Sequence, residues 1–197
     1  MAADLGTVFS QIGCPRILVI GDVILDRYIW GNADRVSPEA PVLVLRADEE
    51  EVRLGGAASV AMLLSALGAQ PILSGVIGDD SDGRIARALM VEAKIDHSGV
   101  LCDSDRMTTA KDRFIGRAAN RHPSQILRVD RELCEPIPKA IEDRLIEALI
   151  ERLGEVQVVL VSDYAKGVCT PHVLEALIEA AAVRGIPVFV DPARIAD

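Results

Sequence analysis

Aromatic residues are scarce in this chain: Phe, Tyr and Trp together make up 3% of 197 residues. With 50% of the sequence hydrophobic, the core falls to Val, Ile, Leu and Ala. That suits α/β proteins, in which buried parallel strands read as Val/Ile/Leu runs. Positive charge is also in short supply. The 21 Lys and Arg stand against 30 Asp and Glu, a net charge of −9. Binding of nucleic acid through a basic surface is therefore disfavoured, and an anionic ligand needs locally gathered cations. The four cysteines, Cys14, Cys102, Cys134 and Cys169, are far apart in sequence. They suggest neither a zinc knuckle nor a redox pair and fit reduced thiols in a cytoplasmic protein. No stretch approaches the roughly 20 apolar residues of a membrane span. The opening MAADLGTVFSQIG has no basic n-region and does not read as a signal peptide. Leu5, Val8, Phe9 and Ile12 fit one face of a short amphipathic helix instead.

What is present alternates between strand and helix. RILVIG at 16–21 is a short apolar run ending at glycine, hence a buried strand. Val60, Leu63, Leu64 and Leu67 recur at helical spacing, and Gly68 is a natural stop. PILSGVIG at 71–78 is the next strand. Ser81 can cap a helix over 82–93 whose inner face holds Ile85, Ala86, Leu89, Met90 and Ala93. Pro138 suits the first turn of a helix over 138–153, with Ile141, Leu145, Ile146, Leu149 and Leu153 buried. VQVVLVS at 156–162 reads as a fully buried strand, Thr170 and Pro171 open a helix that Gly185 closes, and PVFVD at 187–191 is the last strand. Two stretches break the alternation. Short alternating segments at about 28–54 and 107–130 predict antiparallel strands forming a small β lid over one edge of a doubly wound parallel sheet. No linker or repeat divides the chain, so 1–197 reads as a single unit.

Chemistry-bearing residues gather at the predicted strand ends. Asp22 and Asp26 follow the first strand in GDVILD; a carboxylate there can accept hydrogen bonds from neighbouring hydroxyls of a polyol, or merely cap a turn. Gly55 and Gly56 open a helix, where free N–H groups and the lack of a side chain let a ligand approach; a tight turn explains them equally well. Lys111, Arg113, Arg117, Arg121, Arg128 and Arg131 face only Asp112 and Asp130 within 111–131, a local inversion of sign that a phosphate would exploit. SDYAKG at 162–167 and Asp191-Pro192 each follow a predicted strand. In a parallel sheet Asp26, Gly56, Lys166 and Asp191 share one rim, where ligands of open α/β sheets bind.

Taken in order, GDVILDRY, SPEAPV, the GGAA helix start, GVIGDDSDG, ILRVDRE, SDYAKG and the final DP resemble the ribokinase-like, or phosphofructokinase-B-type, carbohydrate kinases over 16–192. SPEAPV, ILRVDRE and SDYAKG are similar to the branch that phosphorylates D-glycero-β-D-manno-heptose 7-phosphate for lipopolysaccharide precursor synthesis, a branch often fused to a nucleotidyltransferase. The resemblance implies that Asp26 binds sugar hydroxyls and that Gly55 and Gly56 close on the sugar. It places Lys111, Arg117 or Arg121, and Arg128 near the sugar phosphate, and Lys166 and Asp191 along the phosphoryl path. It implies ATP and Mg2+ in the complete enzyme, and a possible homodimer through the lid.

Three departures qualify the resemblance. Ser59 stands where the family has asparagine, so that sugar contact loses its amide. Ala193 stands where lysine often follows Asp-Pro. The glycine-rich G-A-G-D motif that carries the family's catalytic aspartate does not occur within 1–197. The expectation is therefore the substrate-binding half of a sugar kinase, with the catalytic base beyond Asp197 and no turnover by this half alone. Two other readings stand beside it. One is a naturally short, non-catalytic sugar-phosphate-binding protein. The other, a Rossmann nucleotide domain, lacks its G-x-G-x-x-G.

Overall fold

The computed structural model describes residue 6 and residues 13–117 and 122–193. The amphipathic face at Leu5, Val8, Phe9 and Ile12, and the basic Arg121, lie outside the described residues. The elements run β1 (Arg16–Gly21), β2 (Val23–Val36), β3 (Leu43–Gly55), α1 (Gly56–Ala66), β4 (Gln70–Gly78), α2 (Ser81–Glu92), β5 (Asp96–Asp103), β6 (Thr109–Arg117) and β7 (Ser124–Arg131). Then follow α3 (Lys139–Arg152), β8 (Val158–Ser162), α4 (Pro171–Val183) and β9 (Val188–Asp191).

Five strands form one sheet in the order β5-β4-β1-β8-β9, every pair parallel. Side chains alternate across it, as the strand period of two requires. Leu18 and Ile20 of β1 join Leu145 and Leu149 of α3 and Leu177 of α4 on one face. Val19 joins Ala57, Ala58 and Ala61 of α1 and Ala86 and Met90 of α2 on the other. Both faces are thus covered, as a parallel sheet needs. From β1 the chain builds outward to β4 and β5 on one side and later to β8 and β9 on the other. The order reverses between β1 and β8, and that is where such sheets open a crevice at their carboxyl ends.

The remaining strands form a second sheet in the order β3-β2-β6-β7. Its outer pairs are antiparallel, as the alternating segments suggest, but the central pair β2 and β6 runs parallel. Each hairpin leaves the first sheet at the same rim, so the two lie side by side in one direction. Arg27 and Asp112 point to the opposite face from Asp26 and Lys111. There Arg27 is bonded to Asp112 and to Asp82 of α2, both at 2.8 Å, and Arg131 also reaches Asp112 at 2.8 Å. These half-buried pairs seat the second sheet on α2.

Four sequence expectations need correction. Asp96–Asp103 adds a strand to the parallel sheet where the sequence pattern predicts none. It is an edge strand, only partly buried, so its sequence DHSGVLCD lacks an apolar run. Helix α1 buries Gly56, Ala57, Ala58 and Ala61, whereas Leu63 and Leu67 are each 63% exposed. Small residues let this helix approach the sheet closely, and the leucines fall on its outer side. Helix α2 is capped by Asp80 and not Ser81. Strand β8 is half covered at Val158 and Leu160 and so is not fully buried.

Asp80 does more than cap. Its Oδ1 accepts from Gly83 N at 2.7 Å and Thr108 Oγ1 at 2.8 Å, and its Oδ2 from Thr108 N at 2.7 Å. Burial opposes ionisation, but the hydrogen bonds from Thr108 and Gly83 together outweigh it and hold the carboxyl below its ordinary 3.8. The unfolded chain therefore binds this proton more readily than the folded one. The stabilisation is fully present above pH 3.8 and is lost as pH falls through the lower folded value. Replacing Asp80 with Ala is expected to cost about 1–2 kcal/mol at neutral pH. The deficit should shrink in urea melts taken at progressively lower pH.

Candidate functional site

The site starts from one buried carboxylate. Asp22 follows β1 at the switch point and is 1% exposed. Its Oδ2 accepts from Tyr164 N at 2.8 Å and Lys166 N at 3.1 Å, and its Oδ1 from Val168 N at 3.2 Å. Burial raises its pKa above the ordinary carboxylate value, and the three backbone N–H groups offset part of that rise. The same residue's backbone joins two further elements. Its carbonyl accepts from Ala57 N at the start of α1 at 2.9 Å, and its N–H donates to Ser162 O at 3.3 Å. The loop after β8 is thereby fixed with Ala165 in the left-handed region at φ 55°, a conformation that costs an L-residue about 1–2 kcal/mol. A buried arginine clamps the loop from behind. Arg106 is 8% exposed and donates to the carbonyls of Leu133 at 2.8 Å, Glu135 at 3.1 Å and Lys166.

Above this loop lies a cavity of about 290 Å³. It is lined by Ile24, Asp26 and Tyr28 of β2, Arg53 to Gly55 of β3, Gly56 and Ser59 of α1, Lys111 and Arg113 of β6, and Tyr164. Strand register explains the gathering. Asp26 sits opposite Arg53 on one side and Lys111 on the other, and Tyr28 sits opposite Arg113. Three cations thus line the cavity with one carboxylate in a chain of net charge −9, Arg53 being held as well by Glu51 at 2.6 Å. Arg113 binds Asp26 Oδ1 through Nη2 at 2.9 Å and Nε at 3.2 Å. The guanidinium groups of Arg53 and Arg113 lie over the Tyr28 ring, 4.9 and 5.7 Å from its centre. Lys111 makes no ion pair among the described residues. Gly56 has φ 55°, and a β-carbon there would strike the carbonyl of Asp22; one on Gly55 would strike Asp26 Oδ2. Only glycine permits this approach of backbone to carboxylate. The Ser59 hydroxyl donates to Gly56 O at 2.8 Å.

Of the residues singled out from sequence, the cavity brings together Asp26, Gly55, Gly56, Ser59 and Lys111. Arg117 lies farther along the second sheet, bonded to Asp48 at 2.7 Å and Glu49 at 2.5 Å and placed over Trp30. Arg128 shares the face of Arg113 by register but pairs with Asp130 at 2.8 Å. Lys166 turns its ammonium to Glu132 at 2.9 Å. Burial opposes that charge, yet the Glu132 hydrogen bond and carboxylate outweigh it and hold Lys166 above its ordinary value. Asp191 ends β9, and its carbonyl accepts from Asp163 N at 3.0 Å. A second cavity of about 390 Å³ lies at this end of the loop, lined among others by Asp163, Gly167, Cys169, Thr170 and Pro192. Burial, followed by the charges of Asp22 and Asp163, pushes the Cys169 thiol up. Sequence reasoning missed Arg53, Tyr28 and Tyr164 as site residues and took Arg113 only as part of a basic run. The period-two alternation in LDRY and KDR puts Tyr28 and Arg113 on the side of Asp26 and Lys111.

Comparison with solved structures shows the fold class. A 2-dehydro-3-deoxygluconokinase from Thermotoga maritima superposes with a TM-score of 0.66 at 16% identity, covering 92% of this chain and 52% of that one. A ribokinase from Arabidopsis thaliana, complexed with ribose and ATP, superposes with a TM-score of 0.60 at 17% identity, covering 90% and 53%. These likenesses establish a ribokinase-like α/β fold. The profile of the pfkB family carbohydrate kinases matches residues 15–196, and the chain belongs to that family. A protein named "Bifunctional protein HldE" from Geobacter metallireducens is 47% identical over 189 residues, and one of the same name from Bradyrhizobium diazoefficiens is 40% identical over 190. Each alignment covers 96% of this chain, which spans 38% of the length of either relative.

The loop geometry makes Asp22 testable. Asparagine keeps the shape but loses the anion and turns an amide donor toward backbone donors. Asp22→Asn should destabilise the chain by about 1–3 kcal/mol. Faster hydrogen exchange confined to the amides of Tyr164, Lys166 and Val168 would locate the loss.

Proposed function

We propose that this chain is the substrate-binding part of an ATP-dependent kinase acting on a sugar that already bears a phosphate, heptose 7-phosphate being converted to heptose 1,7-bisphosphate. The observation that carries the reading is the inversion of charge in the cavity, where Arg53, Lys111 and Arg113 line the walls with Asp26. A polyol needs the carboxylate, and a phosphate needs the cations. The heptose assignment draws support from SPEAPV, ILRVDRE and SDYAKG and from the two relatives named HldE. In this reading Asp26 accepts from sugar hydroxyls, Gly55 and Gly56 bring backbone against the ring, and Ser59 lines the rim. Lys111, Arg53 and Arg113 hold the phosphate, while Arg117, Arg121 and Arg128 extend the positive face of the second sheet. Lys166 and Asp191 flank the loop that separates the two cavities.

In the full reaction a sugar hydroxyl oxygen attacks the terminal phosphorus of ATP, and the bond to the ADP oxygen breaks. The hydroxyl proton passes to a base that the resemblance places beyond Asp197. ATP, when bound, would supply the phosphoryl group, and Mg2+ would neutralise its charge. Among the described residues no cluster of three or more His, Cys, Asp or Glu could hold a metal ion. The proposal includes a cytoplasmic setting; no described helix is long and apolar enough to cross a membrane. It also includes a homodimer through the second sheet, whose outer strands expose Leu43 and Leu127 at 56% and 55%.

Titration calorimetry of the 197-residue chain with heptose 7-phosphate tests the reading. Binding is expected, weakened about tenfold or more by Asp26→Ala and by Lys111→Ala, and weakened further by added salt. Affinity indifferent to both substitutions would overturn it.

A further inference from the structure

We infer that Arg113 determines specificity for phosphorylated sugars by acting as a gate on Asp26: it occupies the carboxylate until a phosphate draws it away. The inference rests on the reading of the cavity as a sugar-phosphate site and goes beyond it. It is carried by the way Asp26 is already used. Oδ1 takes both Nη2 and Nε of Arg113, at 2.9 and 3.2 Å. Oδ2 lies against Gly55, so close that a β-carbon there would collide with it. Among the described residues Asp26 is the one carboxylate lining the cavity, and its side chain is 17% exposed against 24% for Arg113. A sugar diol that approaches finds Oδ1 already holding two donors and Oδ2 set against the Gly55 backbone.

The surroundings supply somewhere for the guanidinium to go. Arg113 lies over the Tyr28 ring, which also carries the guanidinium of Arg53 on its surface. Lys111, directly opposite Asp26 in register, makes no ion pair among the described residues. A phosphate among Lys111, Arg53 and Arg113 offers the fork of Arg113 a dianion whose oxygens match it in plane and spacing. The group swings across Tyr28 from one anion to another, and Asp26 Oδ1 opens to the sugar hydroxyls. An unphosphorylated sugar has only neutral hydroxyls to offer. These lack the opposite charge and the paired oxygens of an anion, so they do not displace the ion pair. A ligand shifts such an equilibrium only by its differential affinity for the two arrangements, and the phosphate supplies that difference.

The test compares heptose 7-phosphate with unphosphorylated heptose by titration calorimetry on the 197-residue chain, for the wild type and for R113Q, R113K and K111Q. For R113Q the phosphorylated sugar is expected to bind about tenfold to a hundredfold more weakly, while the free sugar binds several-fold more tightly because Asp26 is released. K111Q should weaken the phosphorylated sugar without tightening the free one, as a plain phosphate contact would. R113K, which keeps the charge and loses the fork, should fall between wild type and R113Q and also serves if R113Q does not fold. If R113Q changes both sugars by one factor, or R113K matches wild type for both, the gate is wrong while the cavity assignment stands. If the wild type binds neither sugar, the cavity assignment itself falls and takes the gate with it.

Discussion

The carboxylate of Asp22 is the contact on which the site depends. A charge in a nearly sealed position is costly unless hydrogen bonds replace the lost water. Here three backbone N–H groups from a single loop do so. The exchange satisfies both parties: the carboxylate gains donors, and the loop gains a fixed path through the left-handed Ala165. Because Asp22 also bonds through its backbone to Ala57 and Ser162, β1, β8, α1 and the loop share one anchor. Tyr164 reaches the cavity from that loop, and Gly55 and Gly56 reach it from the start of α1. The floor of the cavity is thus built around an acid that does not line it.

The walls come from a different constraint, the alternation of side chains in the second sheet. The face bearing Asp26, Tyr28, Lys111 and Arg113 is the cavity face. The opposite face bears Arg27 and Asp112, whose ion pairs hold the sheet on α2. One set of strands therefore carries binding groups on one side and anchoring groups on the other. A shift of register by one residue would exchange the two sets. The central position of β2, between β3 and β6, lets Asp26 meet cations from both neighbours.

Much of this could be read in the sequence where signal and structure share a period. Apolar runs ending at Gly21, Gly78 and Ser162 mark the buried parallel strands, and residues after β1 and β8 meet at the switch point. The limits have physical causes. Arg53 lies 27 residues from Asp26, and only strand pairing brings them together. Strand β5 is hidden by its polar edge pattern. The face of α1 was misassigned because leucine outweighs alanine in any apolar count, whereas close helix-to-sheet contact selects alanine. Lys166 carries the right charge in the right loop, but Glu132 across the loop determines where its ammonium points. Arg106 gave no signal at all, because it is satisfied by carbonyl oxygens and these leave no trace in side-chain identity.

Cys169 gives the anchored loop a chemical reporter. It follows Val168, the last residue held by Asp22, and its half-buried thiol resists ionisation because of burial and the two neighbouring acids. Thiol reagents attack the thiolate, so in the closed arrangement this sulfur reacts slowly. It becomes an ordinary thiol whenever the loop lifts away from Asp22. Cys14, Cys102 and Cys134 are exposed and share the same molecule, so they provide an internal clock for the reagent. The lag of the fourth sulfur behind the other three measures how often the floor of the cavity opens, without any ligand present and without altering a residue of the site.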